Sequence, residues 1–164
     1  MKTRQKVHVT YNEASEDILH FSLQGLLPDG HVFAFNTMLG MLSHLAYEQD
    51  QVHMLMEQSF TTAEVCVLLP LLEAYPSYCS HEVLVASFNH GRATEAFVER
   101  TRERLQEASL LGLWDQEMRP TRNVISRCRI KTRPFGLEIS SILEKGYGLY
   151  GYVGSDTRNG HHLL

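Results

Sequence analysis

Between Arg119 and Arg133 the chain separates its apolar and cationic residues at the period of an α-helix, and no other segment constrains the fold as tightly. At about 100° per residue, Thr121, Val124, Ile125, Cys128 and Thr132 fall on one arc. Arg119, Arg122, Ser126, Arg129 and Arg133 fall on the opposite arc, flanked by Asn123, Arg127 and Ile130. Pro120 suits the first position of a helix, and Pro134 stops one near Thr132 or Arg133. One face is fit for burial. The other holds four guanidinium groups with serine and asparagine among them, and each of these side chains has a use on duplex DNA. Arginine takes guanine O6 and N7, asparagine takes adenine N6 and N7, and serine, arginine and lysine hold phosphates. Ile130, odd on a purely solvated face, suits a thymine methyl group.

The charge distribution agrees. Residues 1–118 hold 7 Lys and Arg against 16 Asp and Glu, whereas residues 119–145 hold 7 basic residues against 2 acidic ones. A net charge of −4 argues against a protein that coats nucleic acid over its whole surface, but a basic block in an acidic chain is the footprint of a polyanion-binding face. With 164 residues, 43% of them hydrophobic, the chain is one globular domain of ordinary size. Cys66, Cys79 and Cys128 are odd in number and lack CxxC spacing, which points to a reducing compartment. The longest apolar run, Val65 to Leu72, is interrupted by Pro70 and far short of the ~20 residues that span a bilayer. No apolar stretch follows Lys2, Arg4 and Lys6, so no signal peptide is read there. A cytoplasmic, nucleoid-associated protein is expected.

Upstream, Lys6–Tyr11, Ile18–Leu23 and His31–Phe35 alternate like short strands, with Pro28-Asp29-Gly30 as the turn between the last two. Asn36–Tyr47 is rich in Met and Leu and reads as a helix, while Val52–Glu57 fits no single pattern. Thr61-x-x-Glu64 is a capping box with Phe60 and Val65 placed for a hydrophobic staple, so a helix runs from there to about Tyr75, kinked at Pro70. Pro76–Cys79 turns tightly, and Ser80 caps a second helix to about Phe88. Ala93–Leu111 forms a third, with Phe97, Thr101, Leu105 and Ala108 on one side and Glu95, Glu99, Glu103 and Glu107 in an acidic ridge. After the basic helix, Gly136–Ile142 alternates, Leu143–Gly146 turns and Tyr147–Tyr150 returns as a hairpin.

The run Ile125-Ser126-Arg127-Cys128-Arg129-Ile130-Lys131, then Pro134-Phe135-Gly136-Leu137-Glu138-Ile139, Ser141-Ile142 and Gly146-Tyr147-x-Leu149, resembles the OmpR/PhoB-type winged-helix effector domain. The resemblance covers about residues 59–150. It implies that helix 119–133 lies in the major groove, that hairpin 139–150 touches the backbone or minor groove, and that the N-terminal strands form a small leading sheet. Departures are Thr121 and Asn123 at apolar positions of the recognition helix, Cys128 in place of leucine, and Leu143 and Glu144 in the wing, which leave Lys145 as its only cation. The 93–111 helix is an insertion. The 58 residues before the domain are too few for that family's receiver.

No nucleophile elbow, Walker loop, HExxH or paired-cysteine metal spacing is found, so no enzyme activity, cofactor or metal is expected. Cys128, on the buried arc, should be inert. The expected fold is α+β: a winged helix-turn-helix of three core helices and a C-terminal β-hairpin wing at 59–150, with the inserted helix at 93–111. An N-terminal β-rich extension at 1–58 precedes it and a tail at 151–164 follows. The expected function is sequence-specific binding of double-stranded DNA as a transcription regulator, through Arg119, Arg122, Asn123, Ser126, Arg127, Arg129, Ile130 and Arg133, with Lys131 and Lys145 on phosphates. A homodimer is expected, with RNA polymerase or another regulator as candidate partners and no membrane. The rival reading is a winged helix that grips an acidic protein partner.

Overall fold

The computed structural model describes residues 18–154; the alternating segment Lys6–Tyr11 and His161 and His162 lie outside them. The described chain opens with four antiparallel strands, β1 (Ile18–Phe21), β2 (His31–Asn36), β3 (Met41–Glu48) and β4 (Gln51–Ser59), which neighbour one another in sequence order. Alternation decides the faces. Phe33 and Phe35 of β2 are buried, their neighbours are only half-buried, and Phe21 and Leu42 stand beside them in register.

Asn36–Tyr47 is therefore not the helix its Met and Leu content suggests. The Asn36 side chain accepts the Leu39 N–H at 3.0 Å and closes a turn. Gly40 then takes φ +70°, where a Cβ would collide with the Phe60 carbonyl, and its own carbonyl accepts the Phe60 N–H at 2.7 Å. The reversal sends Met41–Glu48 back along β2, and Val52–Glu57 falls within β4.

The first two helices start where their caps predict. Thr61 Oγ1 accepts the Glu64 N–H at 3.3 Å and opens α1 (Thr62–Ala74), which contains Pro70 and ends before Pro76. Ser80 Oγ accepts the Val83 N–H at 3.4 Å and opens α2 (His81–His90). Thr94 does the same for α3 (Glu95–Leu110), whose buried residues are Thr101, Leu105 and Ala108. α4 (Trp114–Thr132) corrects the expected start: Pro120 lies inside the helix, not at its first position. An interior proline costs about 3 kcal/mol. Opposing that cost, Trp114 and Met118 pack with Val85 of α2 and Leu105 of α3, and Glu117 pairs with Arg104 at 2.6 Å.

A 3₁₀ turn at Arg133–Phe135 leads into the hairpin of β6 (Leu137–Ile142) and β7 (Gly146–Gly151). The Pro76–Cys79 region does more than turn, because β5 (Cys79–Ser80) adds to the free side of β7 and gives a sheet ordered β5-β7-β6. The fold is thus mixed α+β. One large core joins Phe33, Phe35 and Leu42 of the first sheet to Leu68 and Leu71 of α1, Val124, Ile125 and Cys128 of α4, and Leu137, Ile139 and Leu149 of the hairpin. The expected boundary at residue 58 divides the chain in sequence but not the core.

Two predictions follow from this packing. Gly146 sits so close to Cys79 that a Cβ would collide with its carbonyl, so Gly146→Ala should destabilise the fold by about 1–3 kcal/mol, read as a lowered urea midpoint. His31 and His44 are hydrogen-bonded ring to ring at 2.9 Å. Burial, then the neighbouring His31, lowers the pKa of His44 below its ordinary 6.5, and burial lowers that of His81. In this window the unfolded chain binds more protons than the folded one. Stability should be full above about pH 6.5 and decline as pH falls below it. Urea midpoints between pH 7.5 and 5.5 check this, and a flat profile contradicts it.

Candidate nucleic-acid interface

The buried arc of α4 is the one its spacing predicts: Thr121, Val124, Ile125, Cys128 and Thr132 are all buried, joined by Met118. Cys128 donates its thiol to the Glu64 carbonyl at 3.6 Å, and burial, helped by the Glu64 carboxylate, pushes its pKa up to about 12. At neutral pH it is a protonated core residue.

The ten residues expected at the interface divide into two groups. Three are committed to internal acceptors. Lys131 lies 3.0 Å from Glu64 Oε2, donates to Glu64 Oε1 at 3.1 Å and to the Ser59 carbonyl at 3.0 Å, and stands over the Phe60 ring. Arg129 donates to the Ile139 carbonyl at 2.8 Å and pairs with Glu138 at 3.3 Å. Arg133 pairs with the same Glu138 at 3.0 Å and stacks over Tyr152. These cations fasten α4 to the start of α1 and to β6 instead of lining its outward face.

The others remain outward. Arg119, Asn123, Ser126 and Ile130 are exposed and spaced 4-3-4, which makes a single strip along the helix; Arg127 flanks it on one side and Arg122 on the other. The side chains of Arg119, Asn123 and Arg127 make no hydrogen bond or ion pair with the described residues. Ile130, at the C-terminal end of this strip, is 69% exposed. Ser126 Oγ donates to the Arg122 carbonyl at 3.0 Å, and Arg122 pairs at 2.9 Å with Asp115, a side chain 80% exposed. Lys145, at the hairpin turn, stands 5.9 Å from the centre of the Tyr78 ring.

Sequence reasoning missed the acceptors. Glu64 was legible as a capping residue, and its hydroxyl partner Thr61 donates to it at 2.9 Å, but its burial was not. Glu138 sits in an alternating strand where an acidic residue reads as solvated. A signal was present: it lies five residues beyond Arg133, across one tight turn.

Among the described residues, no group of three His, Cys, Asp or Glu side chains could hold a metal ion, and no helix is long and apolar enough to cross a membrane. Comparison with protein-family models, with curated proteins and with solved structures gives no match.

The Glu64–Lys131 pair generates a clear expectation. Lys131→Met strands a buried carboxylate and should cost about 3–5 kcal/mol in chemical denaturation. The double variant Glu64→Gln/Lys131→Met should recover part of that loss. A Lys131→Met protein as stable as wild type contradicts the assignment.

Proposed function

We propose that this protein is a sequence-specific, duplex-DNA-binding transcription regulator built as a winged helix that resembles the OmpR/PhoB-type effector domain. The order of parts supports that reading: a leading antiparallel sheet, α1, α2, an inserted α3, then α4 followed directly by the β6–β7 hairpin. The observation that carries it is the strip Arg119-Asn123-Ser126-Ile130 between Arg122 and Arg127. A face selected only for solubility has no use for an isoleucine 69% exposed at the end of its strip. A face that reads base edges has use for each of these side chains.

The division of labour follows from chemistry. α4 is about 28 Å long at 1.5 Å per residue, enough to lie in a major groove with its strip toward the bases. Asn123 is suited to adenine and Ile130 to a thymine methyl, while Arg122 and Arg127, on opposite flanks, reach the phosphates of the two groove walls. Arg119 extends the strip toward the start of the helix. Lys145 at the hairpin turn contributes a further phosphate contact. A single module buries about 600–1,000 Å² on DNA, so specific affinity calls for two protomers on adjacent half-sites. RNA polymerase or a second regulator would then be the downstream partner, and the setting would be the cytoplasmic nucleoid.

The test is selection from random duplex DNA at two salt concentrations. A defined motif should be enriched, and affinity should fall steeply with salt. Arg127→Ala should weaken binding to all sequences alike and reduce the salt slope by about 1, whereas Asn123→Ala should relax preference at one position by about 1–3 kcal/mol. If no motif emerges and Arg127→Ala binds as wild type does, the DNA reading fails and the face belongs to an acidic protein partner.

A further inference from the structure

The edge of the first sheet carries a feature that DNA binding does not use. β4 is the longest strand at nine residues and the last in its sheet, so among the described strands none pairs with its outer side. Natural edge strands are kept short or protected by lysine, proline, inward-pointing charge or a β-bulge. β4 has no proline or lysine, and Glu57 is its only charged residue. It does carry one irregularity, a register shift opposite His44 and Leu45 that leaves Leu55 without a partner and Gln51–Met54 regularly paired.

The apolar side chains form a row that stops unfinished at this edge. Val32, Leu45 and Met54 stand side by side in register, on the face opposite Phe33 and the core. Val32 and Leu45 are half-buried, but Met54 is 59% exposed. In the next row Tyr47 pairs with Val52, and both are about half exposed. Among the described strands, none continues either row beyond β4 with an apolar residue in the same register.

We propose that the β4 edge is a self-association surface whose occupant is the β4 strand of a second copy of this chain, paired antiparallel about a two-fold axis at His53. An antiparallel strand pair is self-complementary under such an axis, so one surface serves both copies. This register places Val52 opposite Met54 of the second copy, and Met54 opposite Val52, which completes both rows. It also keeps the two Glu57 carboxylates from facing each other, since each stands opposite Gln49 of the second copy. The contact joins two four-stranded sheets into one of eight and leaves the outward strip of α4 outside the pairing. The overlap is short, so the dimer is of the transient class. It holds whether the α4 face binds DNA or a protein.

Sedimentation analysis of the full chain across roughly 1–500 μM tests this. Wild type should pass from monomer to dimer within that range. Met54→Lys, an exposed substitution on the edge, should remain monomeric with an unchanged urea midpoint, and Leu110→Lys, at another exposed apolar position, should dimerise as wild type does. In a Cys66→Ser background, His53→Cys should form disulfide-linked dimers on mild oxidation, because the axis brings the two positions together. A wild-type chain that stays monomeric at 500 μM overturns the proposal, as does a dimer that survives Met54→Lys. Amide exchange separates the remaining occupant. Protection of Gln51–Met54 that rises with protein concentration supports a second copy, whereas protection independent of concentration and abolished by deleting residues 2–17 assigns the edge to the chain's own N-terminal segment and overturns the dimer.

Discussion

A single buried carboxylate sets the geometry on which the rest of the molecule depends. Glu64 is 1% exposed at the start of α1, where an unpaired charge would be prohibitively costly. Thr61 and Lys131 meet it, and Lys131 also takes the Ser59 carbonyl at the end of β4. One ammonium group therefore joins the first sheet, the first helix and the last helix. On the other flank of α4, Arg129 is fastened to β6 through the Ile139 carbonyl and Glu138. Two residues along a helix are about 200° apart around it. Anchors on such opposite flanks fix the rotation of the helix, and Ile130, which lies between them, has no direction left but outward.

This arrangement explains why a segment so rich in arginine does not turn all of its cations to solvent. Glu138 accepts both Arg129 and Arg133, and Glu64 accepts Lys131, so part of the basic block is neutralised within the fold. α3 shows the same economy, with Arg102 on Glu82 and Glu99 and Arg104 on Glu117. Charge along the sequence records how many cations there are. Which of them face solvent is decided by carboxylates brought in from other elements.

That distinction marks what was legible beforehand. The capping residues Thr61 and Ser80, the buried arc of α4 and the alternation of the hairpin are local patterns, and the structure reproduces them. The errors come from non-local contacts. β3 lacks clear alternation, and the Gly40 turn before it is dictated by Phe60, twenty residues on. α4 begins at Trp114 because Met118 and Trp114 find a pocket made by α2 and α3, which outweighs the local signal of Pro120. Lys131 reads as a phosphate ligand until Glu64, 67 residues away, is seen beside it. The α+β class was therefore readable, the rotation of the last helix was readable from its own arcs, and the fate of individual cations was not.

Arg122 shows how the same reasoning ranks the cations that remain. Its partner Asp115 is 80% exposed, and an exposed ion pair contributes at most about 1 kcal/mol after solvent screening and side-chain entropy. A phosphate that offers a charge-assisted, partly desolvated contact competes well against such a pair. Arg129 is different: it is less exposed, it shares Glu138 with Arg133, and it donates to the Ile139 carbonyl in a half-buried setting. Breaking that cluster for an external anion loses more than the anion returns. The cations fit for an outside partner are accordingly those whose internal contacts are absent or weak, which sets Arg119, Arg122 and Arg127 apart from the three that hold the helix in place.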